Sequence, residues 1–111
     1  MESDPFSCMR HFYRTSLAPA EVIESADRFF ATLGLQTVAS ASRSRTYRGL
    51  VGTPEIPVTL LLTAKPEGGH YTFVEAATDQ MGESRIDRNV KRFFVQLHRK
   101  VEPTHALEAA Y

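Results

Sequence analysis

The sequence has a single cysteine, no excess of charge of either sign and no long apolar run. Its 111 residues include thirteen basic and thirteen acidic side chains, so no overall field attracts the chain to nucleic acid or anionic lipid. The lone Cys8 excludes an internal disulfide framework and suits a reducing compartment. The longest apolar stretch, VTLLLTA, is far shorter than the ~20 residues of a membrane span. We therefore expect a cytoplasmic protein that does not enter a membrane.

Short motifs of common active sites are also missing. The sequence has no glycine-rich nucleotide loop, no nucleophile elbow and no cysteine–histidine pair with an orienting partner. Its histidines and carboxylates show no recognised metal-ligand spacing. We expect no catalytic residue, no cofactor and no metal site, and these absences favour a non-catalytic module over an enzyme.

What is present is the composition of one globular domain. A chain of this length supports a single hydrophobic core, and 42% hydrophobic with 23% charged residues is typical of folded proteins. We predict a flexible leader over residues 1–9, one α+β domain over residues 10–102 and a tail over residues 103–111.

Two amphipathic helices are predicted. The first covers residues 18–35, where Gly34 fits the left-handed position after the last turn. The second covers residues 84–101, where Ser84 and Asp87 form an aspartate version of the capping box. Each helix has one apolar stripe at three- and four-residue spacing. These stripes consist of Val22, Ile23, Ala26, Phe29, Phe30 and Leu33 in the first helix, and of Ile86, Val90, Phe93, Phe94, Leu97 and Val101 in the second.

The remaining regular segments have a period of two, which is typical of strands. The five predicted strands are residues 10–17, 35–41, 44–52, 58–65 and 70–78. The last four follow one another through short turns, so they must be antiparallel. Because each helix has one strong apolar stripe, we expect both helices to pack on one face of this sheet.

The resulting order, β-α-β-β-β-β-α over residues 10–101, resembles a single repeat of the TATA-binding-protein fold, which also underlies the helix-grip proteins. The resemblance is one of topology and rests on no residue motif. It implies an antiparallel sheet with two helices on one face, and it implies no function.

The sheet face without helices is expected to carry apolar groups as well. In the fourth strand Leu61 points away from Leu60, and in the fifth strand Tyr71 and Phe73 point away from Val74. A monomer rarely leaves a large apolar patch in water. We therefore predict a homodimer, a protein partner or a small apolar ligand on this face.

The candidate partner- or ligand-binding residues are Tyr71, Phe73, Glu75, His70 and His11. Glu75 shares its strand face with two aromatic rings, where a carboxylate either pairs with an arginine of a neighbouring strand, holds a ligand or acts as an acid or base. His11 is expected beside His70 if the first strand borders the last. These residues also support an alternative hypothesis, an enzyme or sensor with Glu75 or His70 as its polar anchor.

A second alternative is a nucleic-acid-binding domain. Arg43, Arg45 and Tyr47 are predicted to share one strand face, where arginines would hold phosphates and the ring would stack on a base. The basic last helix would contribute Arg88 and Arg92. Because the total charge is zero, an edge strand protected by charge and an ordinary solvated helix face are favoured over this hypothesis.

Overall fold

The computed structural model describes residues 9–80 and 84–101. Its elements are β1 (Met9–Thr15), α1 (Pro19–Thr32), β2 (Gln36–Ala41), β3 (Ser44–Val51), β4 (Ile56–Glu67), β5 (Tyr71–Thr78) and α2 (Arg85–Val101). The predicted α+β class and element order are confirmed. Residues 1–8 of the predicted leader, with Cys8, and residues 102–111, which include the predicted tail, lie outside the described residues, whereas Met9 belongs to β1.

All five strands form one antiparallel sheet in the order β1-β5-β4-β3-β2. Consecutive strands from β2 to β5 are neighbours because short turns join them. Helix α1 carries the chain from β1 across to the opposite edge, which leaves β1 free to pair with β5. In this pair His11 faces Ala76 and Phe12 faces Glu75, and this register determines which side chains of the two strands share a face.

Both helices cover the same face of the sheet, as predicted. The buried positions that face the helices alternate along each strand, and they are Val58, Leu60, Leu62 and Ala64 in β4 and Thr72, Val74, Ala76 and Thr78 in β5; Ala77 is buried as well, on the other face. Three aromatic rings meet above them at the centre of the core. Phe30 of α1 lies 5.3 Å from Phe93 of α2 and 5.1 Å from Tyr47 of β3, measured between ring centroids. Neither described helix has both the length and the apolar character of a membrane span.

The C-terminus of α1 is closed by the glycine that the sequence predicts. Gly34 has a φ of 84°, and its N–H donates to the carbonyl of Ala31 at 3.0 Å while that of Leu35 donates to Phe30 at 3.1 Å. These are the two bonds of a Schellman motif. The motif turns Leu35 back into the core, where it is 5% exposed.

A second glycine, Gly49 of β3, allows this turn to pack against the sheet. A Cβ at position 49 would lie 2.7 Å from Cδ2 of Leu35 and 3.1 Å from the carbonyl oxygen of Gly34.

We predict that Gly49→Ala lowers the free energy of unfolding by about 1–3 kcal/mol, because the added methyl overpacks the core. Urea unfolding measures this loss. The control is Arg48→Ala at the exposed neighbouring position, which should change the free energy of unfolding by less than ~0.5 kcal/mol. Wild-type stability in Gly49→Ala would contradict the prediction.

Candidate functional site: the open face of the sheet

The face without helices has an aromatic patch where β1 and β5 meet. Phe12 of β1 stacks on Phe73 of β5, with ring centroids 5.5 Å apart and planes inclined by 17°. Tyr71 projects from the same face of β5, two residues from Phe73. Phe12 is 57% exposed and Tyr71 is 53% exposed. We call Phe12, Tyr71 and Phe73 the aromatic patch.

Two ion pairs lie on the same face as this patch. Arg10 of β1 contacts Glu75 of β5, and Nη2 of Arg14 lies 2.7 Å from Oε1 of Glu67. Of the three roles considered for Glu75, the structure thus shows an ion pair with an arginine of a neighbouring strand. Because both pairs are partly exposed, each contributes at most about 1 kcal/mol to stability. Their main effect is to neutralise four charges around the aromatic patch.

Within the described residues, the depression beside Glu75 on the open face is shallow. The depression there has a volume of about 90 Å³ and is lined by Arg10, Leu61, Thr63, Lys65, Glu75 and Ala77. Sites for drug-sized ligands are usually ~300–1,000 Å³ in volume. The surroundings of Glu75 are thus shallow and suit contact with another protein surface better than enclosure of a small molecule.

The expectation that His11 and His70 are neighbours is wrong. Strand β1 does border β5, but the register places His11 opposite Ala76, and His70 lies in the exposed turn before Tyr71. Six residues of extended chain separate positions 70 and 76, which is about 20 Å. The two imidazoles cannot belong to one site, and neither lies on the open face.

His11 instead belongs to a charged cluster on the helix-covered side. Its Nε2 forms a hydrogen bond with Oδ1 of Asp87, and Nζ of Lys91 lies 3.4 Å from Oδ2 of the same carboxylate. The side chain of Asp87 is fully buried. Its backbone N–H donates to Oγ of Ser84 at 3.3 Å, which confirms the predicted cap. The cluster therefore attaches the first turn of α2 to the edge strand β1.

Tyr47 and Arg45 do lie on one strand face, but it is the face that the helices cover. Tyr47 is 1% exposed, and its hydroxyl donates to Oδ1 of Asp27 in α1 at 2.8 Å. Burial raises the pKa of the Tyr47 phenol, and the hydrogen bond to Asp27 raises it further. A ring buried in this way cannot stack on a base.

The arginines of the nucleic-acid hypothesis are not brought together either. Nε of Arg45 lies 3.3 Å from Oδ1 of Asp27, and its Nη1 donates to the carbonyls of Ala41 and Ser44. Arg43 lies in the β2–β3 turn rather than on the strand face, and Arg88 and Arg92 are exposed on α2. The structure thus divides the residues of the nucleic-acid hypothesis into two separate groups. Tyr47 and Arg45 of β3 are directed into the protein, whereas Arg88 and Arg92 of α2 are directed outward.

Sequence reasoning missed the β1 half of the open face. The alternation in MRHFYRT places Arg10, Phe12 and Arg14 on one side of a strand, and this signal was sufficient to group them. The alternation did not indicate which strand pairs with β1. Asp27 gave no signal, and Asp87 was predicted only as part of the cap of α2. The contacts of both carboxylates with other elements could not be predicted, because an acid in an amphipathic helix is indistinguishable from an exposed one until the neighbouring strands are placed.

These features define a two-layer α+β protein, with one sheet face covered by helices and the other presenting an aromatic patch between neutralised charges. No family model and no curated protein matches the sequence.

Proposed function

We propose that the protein is a non-catalytic binding module that self-associates through the open face of its sheet, forming a homodimer in the cytoplasm. The observation that carries the proposal is the aromatic patch, in which Phe12 and Tyr71 are each more than half exposed. Exposed aromatic side chains are common anchors of protein interfaces, because each buries a large area at a small cost in side-chain entropy.

The charges of the open face support a second copy as the occupant. A C2 interface brings the same patch of both subunits together, so an unpaired charge near the axis would meet its own copy. Here Arg10 already pairs with Glu75 and Arg14 with Glu67. These four charges are therefore neutralised within each copy, whereas Lys65 of β4, which lies opposite Phe73 on the same face, must lie away from the axis so that it does not meet its own copy.

The size of the face indicates the strength of the association. Five strands spaced ~4.8 Å apart, with about eight residues at ~3.3 Å each, give roughly 600 Å² per copy. The total of about 1,200 Å² is at the lower end of specific interfaces. We therefore expect a dimer that forms at micromolar concentration and dissociates on dilution.

Light scattering coupled to size exclusion tests the proposal with the variant Phe12→Asp. The wild-type chain is expected at the mass of a dimer at micromolar concentration, and Phe12→Asp at the mass of a monomer, because two added carboxylates would face each other across the axis. The variant should keep its fold, since the Phe12 side chain is largely exposed.

The matched control is Val95→Asp, which makes a comparable apolar-to-acid change at a side chain that is 50% exposed. Val95 lies in α2, which packs on the opposite side of the sheet from Phe12. This variant should remain a dimer. A wild-type monomer throughout the micromolar range, or equal dissociation of the two variants, would refute the proposal.

A further inference from the structure

A groove runs along α2 on the opposite side of the molecule from the open face. Its first part, of about 490 Å³, is lined by Phe29, Lys91, Arg92, Val95, Gln96 and Arg99. Its second part, of about 280 Å³, is also lined by Arg92 and includes Leu33, Asn89 and Arg85. Both parts are lined by Arg92, so they lie next to each other along α2, and we call the two together the α2 groove.

The two sides of the α2 groove differ in chemistry. Phe29 and Leu33 are half-buried and lie one turn apart at the end of α1, so they form an apolar floor. The α2 side carries Arg85, Arg92 and Arg99, and among the described residues none of these three pairs with an acid. The groove is therefore apolar at its base and cationic along one wall.

The arginines of this wall are spaced at intervals of seven residues. Arg85, Arg92 and Arg99 are two helical turns apart, about 10.5 Å at 1.5 Å per residue. Asn89 and Gln96 lie between them on the same stripe. Residues that alternate at steps of four and three form a row along one side of a helix, and charged residues in such a row can pair with a second helix that runs beside the first.

We propose that the α2 groove binds an acidic amphipathic helix of a partner protein. The apolar stripe of that helix would cover Phe29 and Leu33, and acidic side chains at seven-residue intervals would pair with Arg85, Arg92 and Arg99. Such pairing is complementary in both charge and spacing.

Two other anionic partners fit the groove less well. A nucleic-acid backbone offers phosphates but no apolar stripe for the floor formed by Phe29 and Leu33. A planar anionic membrane that covered the helical layer would also meet Glu21, which is exposed on α1, and this like charge would repel it. A helix is narrow enough to follow one groove and avoid Glu21.

The test uses a labelled synthetic helical peptide of about three heptads with one apolar stripe and a glutamate at every seventh position beside that stripe. The control peptide has the same composition, with its glutamates moved to the opposite face. Fluorescence anisotropy with the full chain should show at least about tenfold tighter binding of the first peptide, as expected from three exposed ion pairs. Equal binding of the two peptides would overturn the proposal.

Variants of the protein locate the site. Arg92→Glu should weaken binding of the first peptide about fivefold or more, whereas Arg43→Glu, the same charge change in the β2–β3 turn, should not. If circular dichroism shows that Arg92→Glu is unfolded, Arg99→Glu at the exposed end of the groove replaces it. An equal loss in Arg43→Glu would show nonspecific attraction and contradict the proposal.

Competition distinguishes the partner classes. A DNA duplex or vesicles containing phosphatidylserine should bind more weakly than the peptide and should fail to displace it. Tighter Arg92-dependent binding of either would assign the groove to that polyanion and overturn the proposal. Since Phe12→Asp alters only the opposite side of the sheet, it should bind the peptide like the wild type, which separates this test from that of the dimer.

Discussion

Replacing His11 with leucine is expected to lower the free energy of unfolding by about 3 kcal/mol. The substitution removes the imidazole that bonds to Oδ1 of Asp87 and leaves a carboxylate whose side chain is fully buried. Lys91 remains 3.4 Å from the other oxygen, but its own side chain is 52% exposed, so much of its charge stays solvated. Most of the loss is thus the cost of removing one hydrogen-bond partner from a buried charge.

A double-mutant cycle checks this explanation. Asp87→Leu alone should cost less than His11→Leu, because the histidine that it leaves is partly exposed and can be hydrated. The double variant His11→Leu/Asp87→Leu should recover at least ~1 kcal/mol relative to His11→Leu, since both polar groups are then gone. Urea unfolding of the four proteins measures the coupling. Additive losses would contradict the inference that Asp87 depends on His11.

Stability is expected to fall in alkali because of Tyr47. Burial, followed by the hydrogen bond and the charge of Asp27, raises the pKa of this phenol well above its ordinary value of 10.0. Above that pH the unfolded chain loses the phenolic proton while the folded chain keeps it, so unfolding is favoured. The stability that Tyr47 contributes is present below pH ~10 and decreases by about 1.4 kcal/mol per pH unit above it.

The comparison of wild type with Tyr47→Phe isolates this effect. The phenylalanine variant should be less stable at neutral pH, having lost the hydrogen bond to Asp27, but its stability should decline less steeply above pH ~10. Tyr71→Phe is the control, because Tyr71 is 53% exposed and should leave the alkaline slope unchanged. Identical slopes in wild type and Tyr47→Phe would show that the phenol ionises as readily in the folded protein as in the unfolded chain.

The elements of the fold could be predicted because their signals are local. The apolar stripe of α2 and its Ser84 cap are contained within one helix, and Gly34 ends α1 through bonds that reach back only to residues 30 and 31. Strand ends were less accurate. Strand β4 was predicted over residues 58–65, but it extends over Ile56–Glu67, because pairing with both β3 and β5 carries it past the points where its own alternation stops.

The open face was predicted only in part. Tyr71, Phe73 and Glu75 were correctly grouped, since alternation along a single strand is enough to do so. The group that pairs with Glu75 could not be named, because Arg10 lies 65 residues away in the sequence and meets Glu75 only through the register of β1 against β5. Predicting that contact requires knowledge of which strands are neighbours and at what offset.

The sequence by itself determined the order of strands and helices, the antiparallel hairpins and the residues that share each strand face, since periodicity and turn chemistry act over a few residues. Only the tertiary structure decided which face the helices cover. That choice directs Tyr47 and Arg45 inward to Asp27, and it leaves Phe12 and Tyr71 exposed in water. The physical reason is that β5 carries apolar groups on both faces, so burying either face would satisfy this strand alone. The packing of α1 and α2 against the whole sheet selects one of them.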